Sequence, residues 1–236
     1  MILLITGTIN VDSDLAFVSL KETEERLEQY IYSIKYAIQN YEEITHVIFC
    51  ENSGYNYNYD FLYDIAEKYG KSLTVLSFEG NSKMVALKGK GYGEGEIIRF
   101  ALENDRILFD SQCFYKLTGR LVVENMNNVM KKTKEENAFF ACNYKKNQRF
   151  VTTHFYKVNT AFYKKELMSS YMRVNDKIGF FLEHVFFDVL RGLNIKSFGV
   201  LPIINGVSGT TGNSYKGSFM KIVLNRILLK MGHFNI

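Results

Sequence analysis

The chain has no tryptophan, a single proline (Pro202), three cysteines and four histidines among 236 residues. Each scarcity removes a class of protein. Cys50, Cys113 and Cys142 form no CxxC pair and are odd in number, which argues against a disulfide scaffold or a zinc ribbon and for a reducing compartment. With so few histidines and no His-Glu-x-x-His, a zinc hydrolase is disfavoured. No linker or internal repeat divides the sequence. No apolar run approaches the ~20 residues that cross a bilayer. The opening Met-Ile-Leu-Leu-Ile-Thr-Gly-Thr lacks a basic region and a small-residue cleavage site, so it reads as a strand of a cytosolic enzyme rather than a signal peptide. A formal charge of +4 is too small an excess for a nucleic-acid binder and suits anionic small molecules or an anionic membrane surface.

What is present is a sizeable apolar interior, at 47% hydrophobic residues, which sets disorder aside. Ile2–Ile5, Thr45–Cys50 and Leu73–Phe78 are short apolar runs that read as buried strands. Between them lie helical patterns, the first from Asp14 to about Tyr41 with Asp12, Ser13 and Asp14 as caps, the second from Asp60 to Tyr69 stopped by Gly70. This β-α-β-α-β alternation predicts a parallel sheet with crossover helices. Downstream, the pattern predicts a glycine-rich loop over Lys88–Glu96 feeding a helix from Ile97 to Asn104, and a strand over Cys113–Leu117. Further strands are expected over 138–143, 150–156 and 195–200, with a helix over Phe180–Leu190. The whole reads as an α/β fold with a mixed, mostly parallel sheet flanked by helices, one domain over 1–215 and a basic amphipathic helix in 216–236.

In an open α/β sheet, ligands bind at the carboxyl ends of the strands. Thr6-Gly7-Thr8 and Glu51-Asn52-Ser53-Gly54 both fall there and together favour a nucleotide pocket over ordinary turns. The Lys88–Glu96 segment has glycines at 89, 91, 93 and 95 but fits neither a Walker A loop nor G-x-G-x-x-G, so a dinucleotide enzyme is disfavoured. Its lysines and the following helix N-terminus, with Lys90 and Gly91 foremost, would hold a phosphate. Glu94 and Glu96 either cap that helix or hold sugar hydroxyls. Lys116 and Arg120, in Tyr115-Lys116-Leu117-Thr118-Gly119-Arg120, add cations at the same edge. Among aromatics at 180–188, Glu183 is the candidate general base. His184 and Asp188, four apart, form a structural hydrogen bond or assist the acceptor. The loop 206–212 either closes over phosphates or connects, and the tail helix, with Lys216, Lys221, Arg226 and Lys230, either lies on an anionic bilayer or packs on the domain.

The segments Lys90-Gly91-Tyr92-Gly93-Glu94-Gly95-Glu96-Ile97-Ile98, Phe114-Tyr115-Lys116-Leu117-Thr118-Gly119-Arg120 and Leu182-Glu183-His184-Val185-Phe186 resemble bacterial glycosyltransferase-like proteins of capsule, O-antigen and lipooligosaccharide biosynthesis. The resemblance implies a GT-A-like, Rossmann-type fold, a nucleotide-sugar donor and an acceptor on a lipid-linked glycan. It implies that Thr6, Gly7, Thr8 and Asn52 border the nucleotide and that Glu183 is the base of an inverting enzyme. Metal-dependent members hold Mg²⁺ or Mn²⁺ with an Asp-x-Asp pair. No such pair occupies the strand before Arg120 and Asp110 stands alone, so Arg120 and the lysines are expected to neutralise the diphosphate, with a divalent metal left open. A non-catalytic nucleotide- or glycan-binding module is the alternative.

Overall fold

A computed structural model of the protein describes residues 1–11, 22–133, 140–145, 148–207 and 219–235. The expected caps Asp12, Ser13 and Asp14, residues 138 and 139 of one expected strand, Lys216 and residues 208–212 of the Gly/Ser/Thr loop lie outside them. So do the side chains of Phe219, Lys221 and Ile222.

The first half alternates β1 (Ile2–Gly7), α1 (Thr23–Asn40), β2 (His46–Glu51), α2 (Asp60–Lys68) and β3 (Ser72–Ser77). There follow α3 (Ser82–Lys88), α4 (Lys90–Asn104), the short α5 (Arg106–Phe109), β4 (Cys113–Thr118), β5 (Leu121–Val123) and α6 (Met126–Lys132). The second half carries β6 (Cys142–Lys145), β7 (Gln148–Val151), β8 (Phe155–Asn159) and one turn of α7 (Thr160–Phe162) that runs into a π-helical turn over Tyr163–Leu167. Two 3₁₀ turns then lead to α8 (Leu182–Leu190), β9 (Ile204–Gly206) and α9 (Phe219–Lys230).

The main sheet has the order β3-β2-β1-β4-β8. Its first four strands are parallel and β8 runs antiparallel to β4. Every residue of β1 and β2 is buried because both faces of the sheet are covered. Successive side chains alternate between the two faces. Leu3, Ile5, Val47, Phe49 and Leu117 pack with Leu27 and Ile34 of α1 and Leu62 of α2. Ile2, Leu4, Ile48, Cys50 and Phe114 pack with Ile98 and Leu102 of α4, Leu108 of α5 and Phe186 of α8. The chain winds outward from β1 to β3, then returns to place β4 on the other side of β1. The point where winding reverses, between the carboxyl ends of β1 and β4, is where such a sheet opens a crevice.

Three expectations change. The glycine segment is helix, not loop: α4 starts at Lys90 and runs through Gly91, Gly93 and Gly95. Glycine lowers helix propensity by about 1 kcal/mol each, but here tertiary packing demands it. A Cβ at Gly95 would lie 2.1 Å from Tyr171 Cβ, and one at Gly91 would lie 3.0 Å from Leu182 Cβ. The expected strand over 150–156 is two, β7 and β8, separated where Thr152 N–H donates to Ala141 O. Residues 195–200 form no strand; Phe198 is buried against Phe155 as a single anchor, and the late strand is β9, paired with β5.

Candidate functional site

A cleft of about 500 Å³ opens at the carboxyl ends of β1, β2 and β4. It is lined by Thr6, Gly7, Thr8, Asn52, Lys90, Glu94, Arg120 and Glu183, all expected at the site. Arg26, Tyr30, Thr153 and His154 join them.

The loops after β1 and β2 are tied together. Thr8 Oγ1 donates to Asn52 Oδ1 at 2.6 Å, and Asn52 N–H donates to Gly7 O at 3.2 Å. Buried Glu51 organises the second loop by accepting from the backbone N–H groups of Ser53 and Tyr55 at 2.8 and 2.9 Å. On the facing wall, Arg26 of α1 donates through Nε to the carbonyls of Thr8 and Ile9 at 3.0 and 3.1 Å. Its guanidinium and that of Arg120 both sit over the Tyr30 ring, at 5.9 and 5.8 Å from the centroid. Burial holds the Arg26 pKa below the usual arginine value, and nearby Arg120 adds to that lowering.

Arg120 occupies the turn after β4 with φ of 68°, in the left-handed region. Gly119 ahead of it is required by contact: a Cβ there would lie 2.3 Å from Tyr30 Cε1. Arg120 Nη1 donates to Gln29 Oε1 at 3.4 Å, while its buried Nε has no hydrogen-bond partner among the described residues. A buried donor without a partner is costly and suits a site that receives an anion.

Lys90 lies across the cleft. Burial holds its ammonium below the usual lysine value; Glu183, Glu94 and Asp176 oppose that effect and Arg120 adds to it. Glu183, at the start of α8, accepts from Thr153 Oγ1 at 3.2 Å. Burial pushes its carboxyl above the usual range and Glu94 adds to the rise, while Lys90 works against it. His154 is held neutral, its pKa lowered to about 4 by burial and by Lys116.

The structure departs from expectation at six residues. The N-terminus of α4 is not open to phosphate: Asp176 accepts from the backbone N–H groups of Lys90 and Gly91, already satisfying the positive end of the helix. Gly91 is a packing position and does not line the cleft. Lys116 is fully buried within the sheet, where its ammonium donates to Glu94, to Thr118 Oγ1 at 2.7 Å and to Thr153 O at 2.8 Å. It acts on the cleft through Glu94 rather than by touching a ligand. Glu94 itself caps nothing, and Glu96 accepts from Asn81 N–H, bracing the loop before α3. His184 and Asp188 do not bond to each other: His184 Nδ1 accepts from Phe181 N–H at 3.2 Å, and Asp188 pairs with Arg173 at 3.0 Å. Neither lines the cleft.

Sequence reasoning missed Arg26 and His154. Arg26 stands one position from Leu27 and four from Tyr30, on the buried side of α1, and that spacing was the available signal. His154 lies in the break between β7 and β8, which periodicity blurred.

Among the described residues no three His, Cys, Asp or Glu side chains gather in a metal-holding group.

No family model matches the chain, and no curated protein matches it. Among solved structures it is similar to the crystal structure of HddC from Yersinia pseudotuberculosis, with 11% sequence identity and a TM-score of 0.36, over 87% of this chain and 92% of that one.

Proposed function

We propose that the protein transfers a sugar from a nucleotide-sugar donor to a hydroxyl of a glycan acceptor, with inversion, in bacterial surface-polysaccharide assembly. The observation that carries this reading is the convergence of Arg26, Lys90, Arg120 and Glu183, from four elements, on one cleft at the switch point of a parallel sheet. The nucleotide lies against Thr6, Gly7, Thr8 and Asn52. Lys90 and Arg120 face the diphosphate. The Glu183 carboxylate takes the proton of the acceptor hydroxyl as its oxygen bonds to the anomeric carbon. The bond from that carbon to the diphosphate breaks, and its electron pair leaves on the nucleotide diphosphate, whose charge the cations stabilise.

Two properties support the assignment of roles. Burial raises the pKa of Glu183 and makes its carboxylate a stronger base than an ordinary one, and the unpartnered Arg120 Nε supplies a donor for a phosphate oxygen. Glu183→Gln is expected to abolish turnover of UDP-, GDP-, CMP- or dTDP-sugars while the donor still raises the melting temperature; an unimpaired variant refutes Glu183 as base. The anomeric configuration of the product, read by NMR, tests inversion. The second reading, a binding module without turnover, draws on the absence of an Asp-x-Asp pair after β4. Slow hydrolysis of any donor by the unmodified chain eliminates it.

A further inference from the structure

A second, larger cavity of about 730 Å³ lies behind the cleft, between α6, residues 198–204 and α9. Its volume is within the range of small-molecule sites. The two spaces share a wall: Thr153 and Glu183 face the cleft, Thr152 and Phe155 face the cavity, and His154 lines both. The cavity is two-sided in chemistry. Its floor is apolar, with Phe155 and Phe198 fully buried and Ile204 and Leu229 beside them. Its rim is cationic, with Lys131 and Lys132 from α6 facing Arg226 and Lys230 from α9. No carboxylate lines it among the described residues, and none of these four cations enters an ion pair there.

The helix that roofs the cavity is anchored at one end and bare on its outer side. Beyond α9, buried Phe234 accepts from Cys142 N–H at 3.0 Å, and Ser197 Oγ donates to Asn235 Oδ1 at 2.6 Å. Packing on the domain is thus real at this end. Yet Leu224, Ile227 and Met231 form one outward stripe, 54%, 52% and 76% exposed. An exposed apolar stripe beside clustered Lys and Arg is the arrangement of a helix lying in an anionic interface. Among the described residues no helix is long and apolar enough to cross a membrane, so the stripe would rest on a bilayer.

We propose that this cavity binds the phosphate end of an anionic bilayer lipid, held by Lys131, Lys132, Arg226 and Lys230, while the α9 stripe lies in the apolar phase from which the lipid comes. The charge complementarity selects an anionic head group, and the apolar floor and stripe select an acyl or prenyl stem, with α9 carrying cations on its cavity side and the stripe on its outer side. Occupancy of the cavity stands apart from the reading of the cleft; only a role for such a lipid as carrier of the acceptor rests on that reading.

The test is sedimentation of the full chain with phosphatidylcholine vesicles, with and without phosphatidylglycerol. Binding is expected only to the anionic vesicles. Arg226→Gln with Lys230→Gln is expected to weaken it roughly 30-fold, from about 1 kcal/mol per basic residue near an anionic surface. Lys68→Gln with Lys177→Gln, an equal charge loss at exposed positions elsewhere, should leave binding within about threefold. Ile227→Asp should also release the chain. Failure of the parent chain to bind anionic vesicles overturns the proposal, as does equal weakening by the two double variants. Inorganic phosphate that displaces the vesicles while Ile227→Asp changes nothing would assign the cavity to a free phosphate and overturn the lipid. Donor-induced thermal shift, read on the same samples, reports the cleft separately: its loss with vesicle binding intact counts against the transferase reading alone.

Discussion

Glu94→Gln would test whether the cleft rests on a buried ion pair. Lys116 is fully buried in β4 and has three partners: the Glu94 carboxylate, Thr118 Oγ1 and Thr153 O. Gln at 94 keeps an acceptor but removes the only anion among them. Leaving one member of a buried pair uncompensated costs about 3–5 kcal/mol. The Glu94 side chain is 24% exposed, so water reaches part of the site and roughly 2–3 kcal/mol is the expected loss. For a chain of this size each kcal/mol moves the melting temperature roughly 2–4 °C, giving a fall of roughly 4–12 °C by circular dichroism. Adding Lys116→Met should recover most of it, because a buried pair replaced on both sides is close to neutral.

The same pair fixes a pH dependence. Burial is the larger influence on Lys116 and lowers its pKa; Glu94, and to a lesser extent Glu183, raise it back. Without the Glu94 carboxylate the lowering deepens. The folded pKa then lies further below the unfolded one, the unfolded chain binds more protons, and stability must rise with pH as the ammonium sheds its proton below the ordinary lysine value. A Glu94→Gln protein within about 0.5 kcal/mol of the parent, with a flat stability profile from about pH 7 to about pH 10, would refute the argument.

Arg120→Gly keeps the turn, since φ of 68° suits glycine, and removes the whole side chain with its guanidinium. Donor binding by titration calorimetry should weaken by roughly 10–100-fold, the worth of one charge-assisted hydrogen bond. Turnover should rise with pH through the Glu183 pKa and then level, with that acid limb above the usual carboxylate range because burial raises the group; a limb at an ordinary carboxylate value contradicts the burial. Gly119→Ala would press a methyl into Tyr30 and Thr6 O, 2.3 and 2.6 Å away, and should cost about 1–3 kcal/mol in urea denaturation.

The strands of the first half were legible because continuous apolar runs bounded by turn residues have few other outcomes in a short segment: β1, β2 and β3 lie within a residue or two of the expected bounds. That Thr6, Gly7, Thr8 and Asn52 line a cleft was legible for the same reason, since strand ends are where a parallel sheet presents loops. The glycine segment was not. Local propensity reads alternating glycines as loop, and only the presence of Tyr171, Val174 and Leu182, some eighty residues later, turns them into helix surface. Lys116 was misplaced because it was read as a cation offered at the ligand-binding ends of the strands, whereas Glu94, Thr118 and Thr153 enclose its ammonium. His184 and Asp188 share a helix face, yet capping of Phe181 and the guanidinium of Arg173 claim them separately.

The contact at Gly91 has a mechanical meaning. An added Cβ there would press on Leu182, 3.0 Å from its Cβ and 3.3 Å from its backbone nitrogen, and Leu182 is joined by a peptide bond to Glu183. Lys90 is likewise the immediate neighbour of Gly91. A single missing side chain therefore sets the gauge between the cation on one wall and the carboxylate on the other. A displacement of about 1 Å in reacting geometry can cost about a hundredfold in rate, so position 91 governs the spacing of the two walls although its residue does not line the cleft.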